Sequence, residues 1–294
     1  MGTQTIIVVI SILLTSGVSR AQTGPTAPVA PATRPTANDY ARHVERLRGR
    51  VSEEFTFVIL PPFVVIGDEP AAMVHRRATG TVGWAVEKLK AAYFDRDPDH
   101  ILDVWLFKDK ASYQRHAKRL FGRVPQTPYG YYSPGDRALV MNISTGGGTL
   151  VHEIVHPFVA ANFPECPAWL NEGLGSLYEQ SAEKNGKIVG LTNWRLAGLQ
   201  RAIRANRLKT FRDLTKTSDD AFYNDDRGEH YAQARYLCYY LQEKDLLTKF
   251  VRDFMANRAD DPTGYETLKK TLGEDDMAAF QARWERFVMK LAFP

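Results

Sequence analysis

The chain has 294 residues, of which 44% are hydrophobic, 24% charged and 11% aromatic. That balance excludes a disordered chain, a collagen-like repeat and a polytopic membrane protein, and the length suffices for a large core without a disulfide scaffold. The formal charge of +4 is spread along the chain, with no Lys/Arg block interleaved with aromatics, which argues against a nucleic-acid partner.

In chain order, residues 6–14 form a short apolar run, and Ser19 and Ala21 suit signal-peptidase cleavage after Ala21. About ten apolar residues are too few to cross a bilayer, which needs roughly 20. The expectation is a signal peptide over 1–21 and a secreted or periplasmic protein with no stable membrane insertion after cleavage. Residues 22–37 are rich in Pro, Ala and Thr and read as an extended linker. The folded domain is then expected over 38–294.

Within it, 55–60 and 63–66 read as short strands around Pro61-Pro62, 71–94 as helix, 101–107 as strand and 110–121 as helix. Residues 129–132 and 138–143 flank Ser133-Pro134-Gly135-Asp136 as the arms of a hairpin. Beyond Gly146 the patterns are helical over 149–162, 168–184, 194–206, 228–244, 245–257 and 274–291. The fold class is α+β: a small sheet-bearing N-terminal part, 38–145, packed on a mostly helical C-terminal part, 146–294.

Residues 152–156 read His-Glu-Ile-Val-His. On a helix His152 and His156 stand one turn apart, so both imidazoles can reach a single ion. Glu153 lies about 100° around the axis, where it can touch a water on that ion without binding it. Leu150, Val151, Ile154, Val155, Phe158 and Val159 make the helix apolar nearly all round. Burying two imidazoles and a carboxylate there is costly unless a cation satisfies them. The plain alternative is a pair of hydrogen-bonded core histidines beside a surface glutamate. Pro157 should kink the helix just past the site. The histidines at 43, 75, 100 and 116 lack partners at ligand spacing and read as surface residues.

Two imidazoles do not hold zinc firmly, so a third protein ligand is expected, with one position left open. Glu172 follows sixteen residues after His156 in Trp169-Leu170-Asn171-Glu172-Gly173. The Pro-bounded turn between the two segments allows the helices to pack together with Glu172 facing the histidines. Glu165, within that turn, is a rival ligand.

HEIVH followed by WLNEG resembles the gluzincin metallopeptidases, the family of the M1 aminopeptidases and the smaller peptidase-MA-like proteins. The resemblance covers roughly residues 145–184. It implies a zincin-like catalytic domain with Zn2+ held by His152, His156 and Glu172, and Glu153 as the base. It extends to Glu179, whose implied role is to accept a hydrogen bond from a ligand imidazole. Residues 229–234 resemble the family's Tyr-bearing helix, making Tyr231 the first choice as oxyanion donor and His230 the second. The strand 138–143, leading into Gly146-Gly147-Gly148, is by the same likeness a place for extended substrate to pair, although a strand inside a sheet explains it equally. No G-x-M-E-N-like segment lies upstream, so an aminopeptidase mode is not implied.

The expected function is therefore an exported zinc-dependent peptidase acting on a peptide or protein substrate. The alternatives are a zinc-bearing scaffold without turnover and a zinc hydrolase acting on another amide or ester of the cell envelope. Cys166 and Cys238, the only cysteines, either pair as a disulfide or remain as two free thiols.

Overall fold

Thr36 opens the first helix. Its hydroxyl accepts from the Asp39 amide at 3.3 Å while the Asp39 carboxylate accepts from the Thr36 amide at 2.8 Å, a reciprocal cap that starts α1 (Ala37–Arg48). The computed structural model describes residues 34–225 and 228–293. The expected signal peptide, its cleavage site and most of the linker lie outside the described residues. Among those described, no helix is long and apolar enough to cross a membrane. They fall into two units: 34–78 with 97–144, and 79–96 with the chain from 145 onward.

The first unit is built on a five-stranded sheet. Its strands are β1 (Thr56–Leu60), β2 (Phe63–Gly67), β3 (Leu102–Phe107), β4 (Gly130–Ser133) and β5 (Ala138–Asn142), in the order β1-β2-β3-β5-β4. The outer pairs β1/β2 and β4/β5 are antiparallel, and β2/β3 and β3/β5 are parallel. Parallel neighbours need crossovers, and their central position explains why β2, β3 and β5 read as nearly unbroken apolar runs. Helices α2 (Ala71–Arg77) and α4 (Lys110–Phe121) belong to this unit. Tyr40, Val44 and Leu47 of α1 and Tyr113 and Ala117 of α4 pack with Val64, Ile66, Trp105, Phe107 and Val140 of the sheet. His116 is buried in this core, its ring stacked on Phe107 at 5.5 Å, and His43 stands 2.7 Å from Asp103. Neither is the free surface histidine expected. Nor is β5 a place for a substrate strand: β3 and β4 occupy both its edges.

The second unit is helical, as expected of the C-terminal half, with one added hairpin. Its helices are α3 (Trp84–Ala92), α5 (Gly148–Asn162), α6 (Ala168–Leu177), α7 (Arg195–Arg204), α8 (Phe211–Thr215), α9 (Asp219–Tyr223), α10 (Glu229–Glu243), α11 (Leu247–Asn257), α12 (Tyr265–Leu272) and α13 (Met277–Lys290). The helix expected over 168–184 stops at Leu177. The chain then turns into a hairpin of β6 (Ser181–Lys184) and β7 (Lys187–Gly190), reversed by Asn185 and Gly186 at φ of +52° and +75°. An Asn-Gly pair of this kind is a strong two-residue turn signal, and it wins over the helical propensity around it.

Helix α6 makes its most extensive contact with α10 and also packs on α5, while α3 lies against α5 and β7. Gly173 permits the close approach of α6 to α10: a Cβ there would stand 3.0 Å from Cys238 Sγ and 3.3 Å from the Ala234 carbonyl oxygen. The buried Arg235 of α10 donates from Nε to the Ser176 carbonyl at 2.8 Å, placing a cation at the C-terminal end of α6.

Candidate metal centre

Every residue of α5 from Leu150 to Val159 is buried, so its polar side chains are largely withdrawn from bulk water. Pro157 deprives the Glu153 carbonyl of a helix bond from four residues ahead, yet α5 continues to Asn162. At the head of α5, a Cβ on Gly148 would collide with the Glu179 carbonyl oxygen. Glycine thus lets the histidine helix begin against the chain that carries Glu179.

The structure brings four predicted residues together: His152, Glu153, His156 and Glu172, each between 1% and 9% exposed. His152 Nε2 lies 3.2 Å from Glu172 Oε2, and His156 Nε2 lies 3.9 Å from Glu172 Oε1 and 3.7 Å from Glu153 Oε2. One ligand-type atom from each of His152, Glu153 and His156 also lies within 4.8 Å of the others. Either carboxylate is therefore close enough to complete a metal site. Hydrogen bonding separates them, because Glu172 Oε2 is buried without a partner, as are His152 Nε2 and His156 Nε2. Three buried polar atoms that converge without a well-formed hydrogen bond are costly as they stand, and a cation bound by the two imidazoles and the carboxylate removes the cost. Two imidazoles and a carboxylate are also a donor set suited to zinc. Glu165 is exposed in its turn and is not part of this group.

The two imidazoles are held differently. His156 Nδ1 is 2.9 Å from Asn171 Oδ1. An amide oxygen can only accept, so Nδ1 carries the proton and Nε2 presents its lone pair to the site. His152 lies flat against α6 at Gly175, where a Cβ would come within 3.1 Å of the ring. Its Nδ1 faces Glu179 Oε1 at 3.3 Å, off the line of a hydrogen bond. Glu179 does not lie on the helix expected over 168–184, since α6 has already ended at Leu177. Its carboxylate is instead gripped by Arg195, from Nη2 to Oε1 at 2.8 Å and from Nε to Oε2 at 3.1 Å, and by Asn193 Nδ2 at 3.1 Å. The β6–β7 hairpin returns the chain to supply both partners.

These contacts set the charges. Burial raises the Glu179 carboxyl, but Arg195 and His152 outweigh it and hold the group at about 2. Burial likewise raises Glu172, and the two histidines bring it below its ordinary value. Burial lowers His152, yet Glu172, Glu179 and Glu153 push it to about 10. The surrounding carboxylates thus favour a positive charge where a metal cation would sit.

Tyr231, near the start of α10, has a buried hydroxyl with no partner, and the Arg195 guanidinium lies 5.3 Å from its ring centre. Burial, and next Glu172, push its pKa well up, so it remains a protonated donor. His230 is stacked on Phe222 at 5.6 Å, with its buried Nδ1 3.7 Å from Asp225 and without a hydrogen-bond partner. No disulfide joins the cysteines: both are free, Cys238 packed beneath Gly173 and Cys166 with Sγ 3.7 Å from the Pro167 carbonyl oxygen.

Sequence reasoning did not single out Asn171, Gly175, Asn193, Arg195 or Tyr223. The first two sit in or beside the WLNEG segment, where close helix packing asks for small residues. Asn193 and Arg195 become legible only once Asn185-Gly186 is read as a hairpin turn. Tyr223 donates to Glu172 Oε1 at 3.0 Å from a helix of five residues, too short to leave a periodic signal.

Residues 147–261 match the model of a family described as Protein of unknown function (DUF1570). The match spans α5, α6, the hairpin and α10, and so every residue of the candidate centre. A search of curated proteins finds no match.

Proposed function

We propose that the chain is an exported, zinc-dependent peptidase working in the gluzincin manner. The observation that supports this reading most is the convergence of three buried, partnerless ligand atoms on His152, His156 and Glu172, with the Glu153 carboxylate beside them. His152, His156 and Glu172 would hold zinc, which when bound makes water acidic near neutral pH and polarises a carbonyl. Glu153 accepts the proton of the attacking water and passes it to the leaving amine. Tyr231 donates to the oxyanion as charge develops on the carbonyl oxygen. Asn171 keeps the His156 imidazole oriented, and the Glu179 carboxylate, gripped by Arg195, stands beside that of His152.

The test separates binding from chemistry. Purified protein should carry about one zinc, and His156→Ala should lose most of it. Glu153→Gln should keep the metal and lose turnover by several orders of magnitude in a peptide-library digest, with chelator abolishing the wild-type activity. Full zinc occupancy in His156→Ala would refute the metal site. Zinc without cleavage of any peptide would leave the scaffold reading, and cleavage of esters or other amides alone would redirect the substrate class.

A further inference from the structure

The carboxylate of Glu172 has two oxygens in different situations. Oε1 accepts from the Tyr223 hydroxyl at 3.0 Å, whereas Oε2, buried and without a partner, faces His152 Nε2 at 3.2 Å. A carboxylate on a helix can turn about its last bond and exchange these oxygens unless something holds one of them. Tyr223 is placed to do so by α9, which is braced against α6 at two points. Asp219 Oδ1 accepts from the Ala168 amide at 3.1 Å, at the first residue of α6, where Pro167 offers no side-chain cap. Four residues along each helix, Tyr223 meets Glu172. Both helices advance by the same turn, so the cap at one end fixes the reach of the phenol at the other. Ser218 starts α9 by accepting from the Ala221 amide at 3.3 Å, and the buried Phe222 lies 5.0 Å from the Tyr231 ring.

From this geometry we propose that Tyr223 is a positioning residue for the metal centre. By occupying one oxygen of Glu172, it presents the other, alone, to the metal. The proposal rests on His152, His156 and Glu172 being the ligands. It adds that a residue touching neither metal nor substrate sets how the third ligand binds. Partners of this kind typically govern metal affinity by 10- to 100-fold.

The test is metal affinity, by chelator competition on the full chain with Zn2+, together with the visible absorption of the Co2+-loaded protein. Tyr223→Phe keeps the ring and removes only the hydroxyl. It should weaken Zn2+ binding roughly 10-fold or more and alter the Co2+ spectrum, while the metal-free protein still unfolds cooperatively with a melting temperature only modestly lowered. In a Glu172→Gln background the same substitution should have little further effect, because the two residues act as one unit. Unchanged Zn2+ affinity in Tyr223→Phe would overturn the proposal. So would a loss of the same size in both backgrounds, which would mean that Tyr223 acts other than through Glu172. His156→Ala is the control: if it loses zinc while Tyr223→Phe does not, this inference fails and the metal centre stands. If neither loses zinc, the centre itself is wrong.

Discussion

Gly175 shows how much of the centre depends on what is missing from a side chain. A Cβ at that position would come within 3.1 Å of Cε1 and Nε2 and 3.2 Å of Cδ2 of His152, so the imidazole rests on bare helix backbone. Gly175→Ala should push the ring off its present line toward Glu172. Overpacking of this kind costs about 1–3 kcal/mol, which a thermal melt of the metal-free protein would show. Zinc affinity should fall with it. The variant binding zinc as tightly as the wild type would mean that the ring can shift without consequence. At this scale His152, Glu153, His156 and Glu172 were legible, since helical spacing and ligand chemistry single them out. Gly175, Asn171 and Tyr223 were not, because their roles arise only when α5, α6 and α9 come together in three dimensions.

Elements were legible wherever the period was long and the ends were marked. Helix α4 runs over Lys110–Phe121 as expected, started by Asp109 and ended by Gly122 at φ of +73°. The helix expected over 168–184 overran because Ser181–Lys184 has no strong strand character of its own. It becomes a strand by pairing with Lys187–Gly190 across the Asn185-Gly186 turn. Short helices such as α9 escape periodicity, yet α9 matters beyond its length. Removing the Asp219 carboxylate takes the cap from Ala168, and caps of this type contribute about 1 kcal/mol. Asp219→Ala should therefore lower the melting temperature by a few degrees and loosen zinc binding, through the resulting movement of α6. Measured by the same melt and chelator competition, an effect on neither would show that α9 does not brace α6.

Over the whole molecule, the expected division at residue 145 misses one exchange. Residues 79–96 join the helical unit, although 71–94 reads in sequence as one uninterrupted helix and gives no sign of changing sides. The free cysteines also carry a prediction at this scale. Burial pushes the Cys238 thiol up to about 12 and raises Cys166 well above its ordinary value. A raised pKa favours the neutral thiol in the folded state. Its stabilising contribution is complete below the ordinary value of 9.0 and is lost as pH climbs toward 12. At pH 8 Cys238 should resist a thiol reagent in the native protein, and denaturation without reductant should reveal two reactive thiols. No reactive thiols after denaturation would restore the disulfide.

The path of the chain has a further consequence. It passes between the units at 78/79, 96/97 and 144/145, so neither unit is one continuous stretch of sequence. A single nick at any of these points frees nothing, because each cut fragment leaves a segment embedded in a unit completed by the other. A cut at 144/145 parts α3 from α5 in the covalent sense alone, and Phe94 remains stacked on Phe158 at 5.9 Å. During synthesis the order is reversed: α3 is made early and must wait, its apolar face uncovered, until the helix bearing both histidines has emerged to meet it.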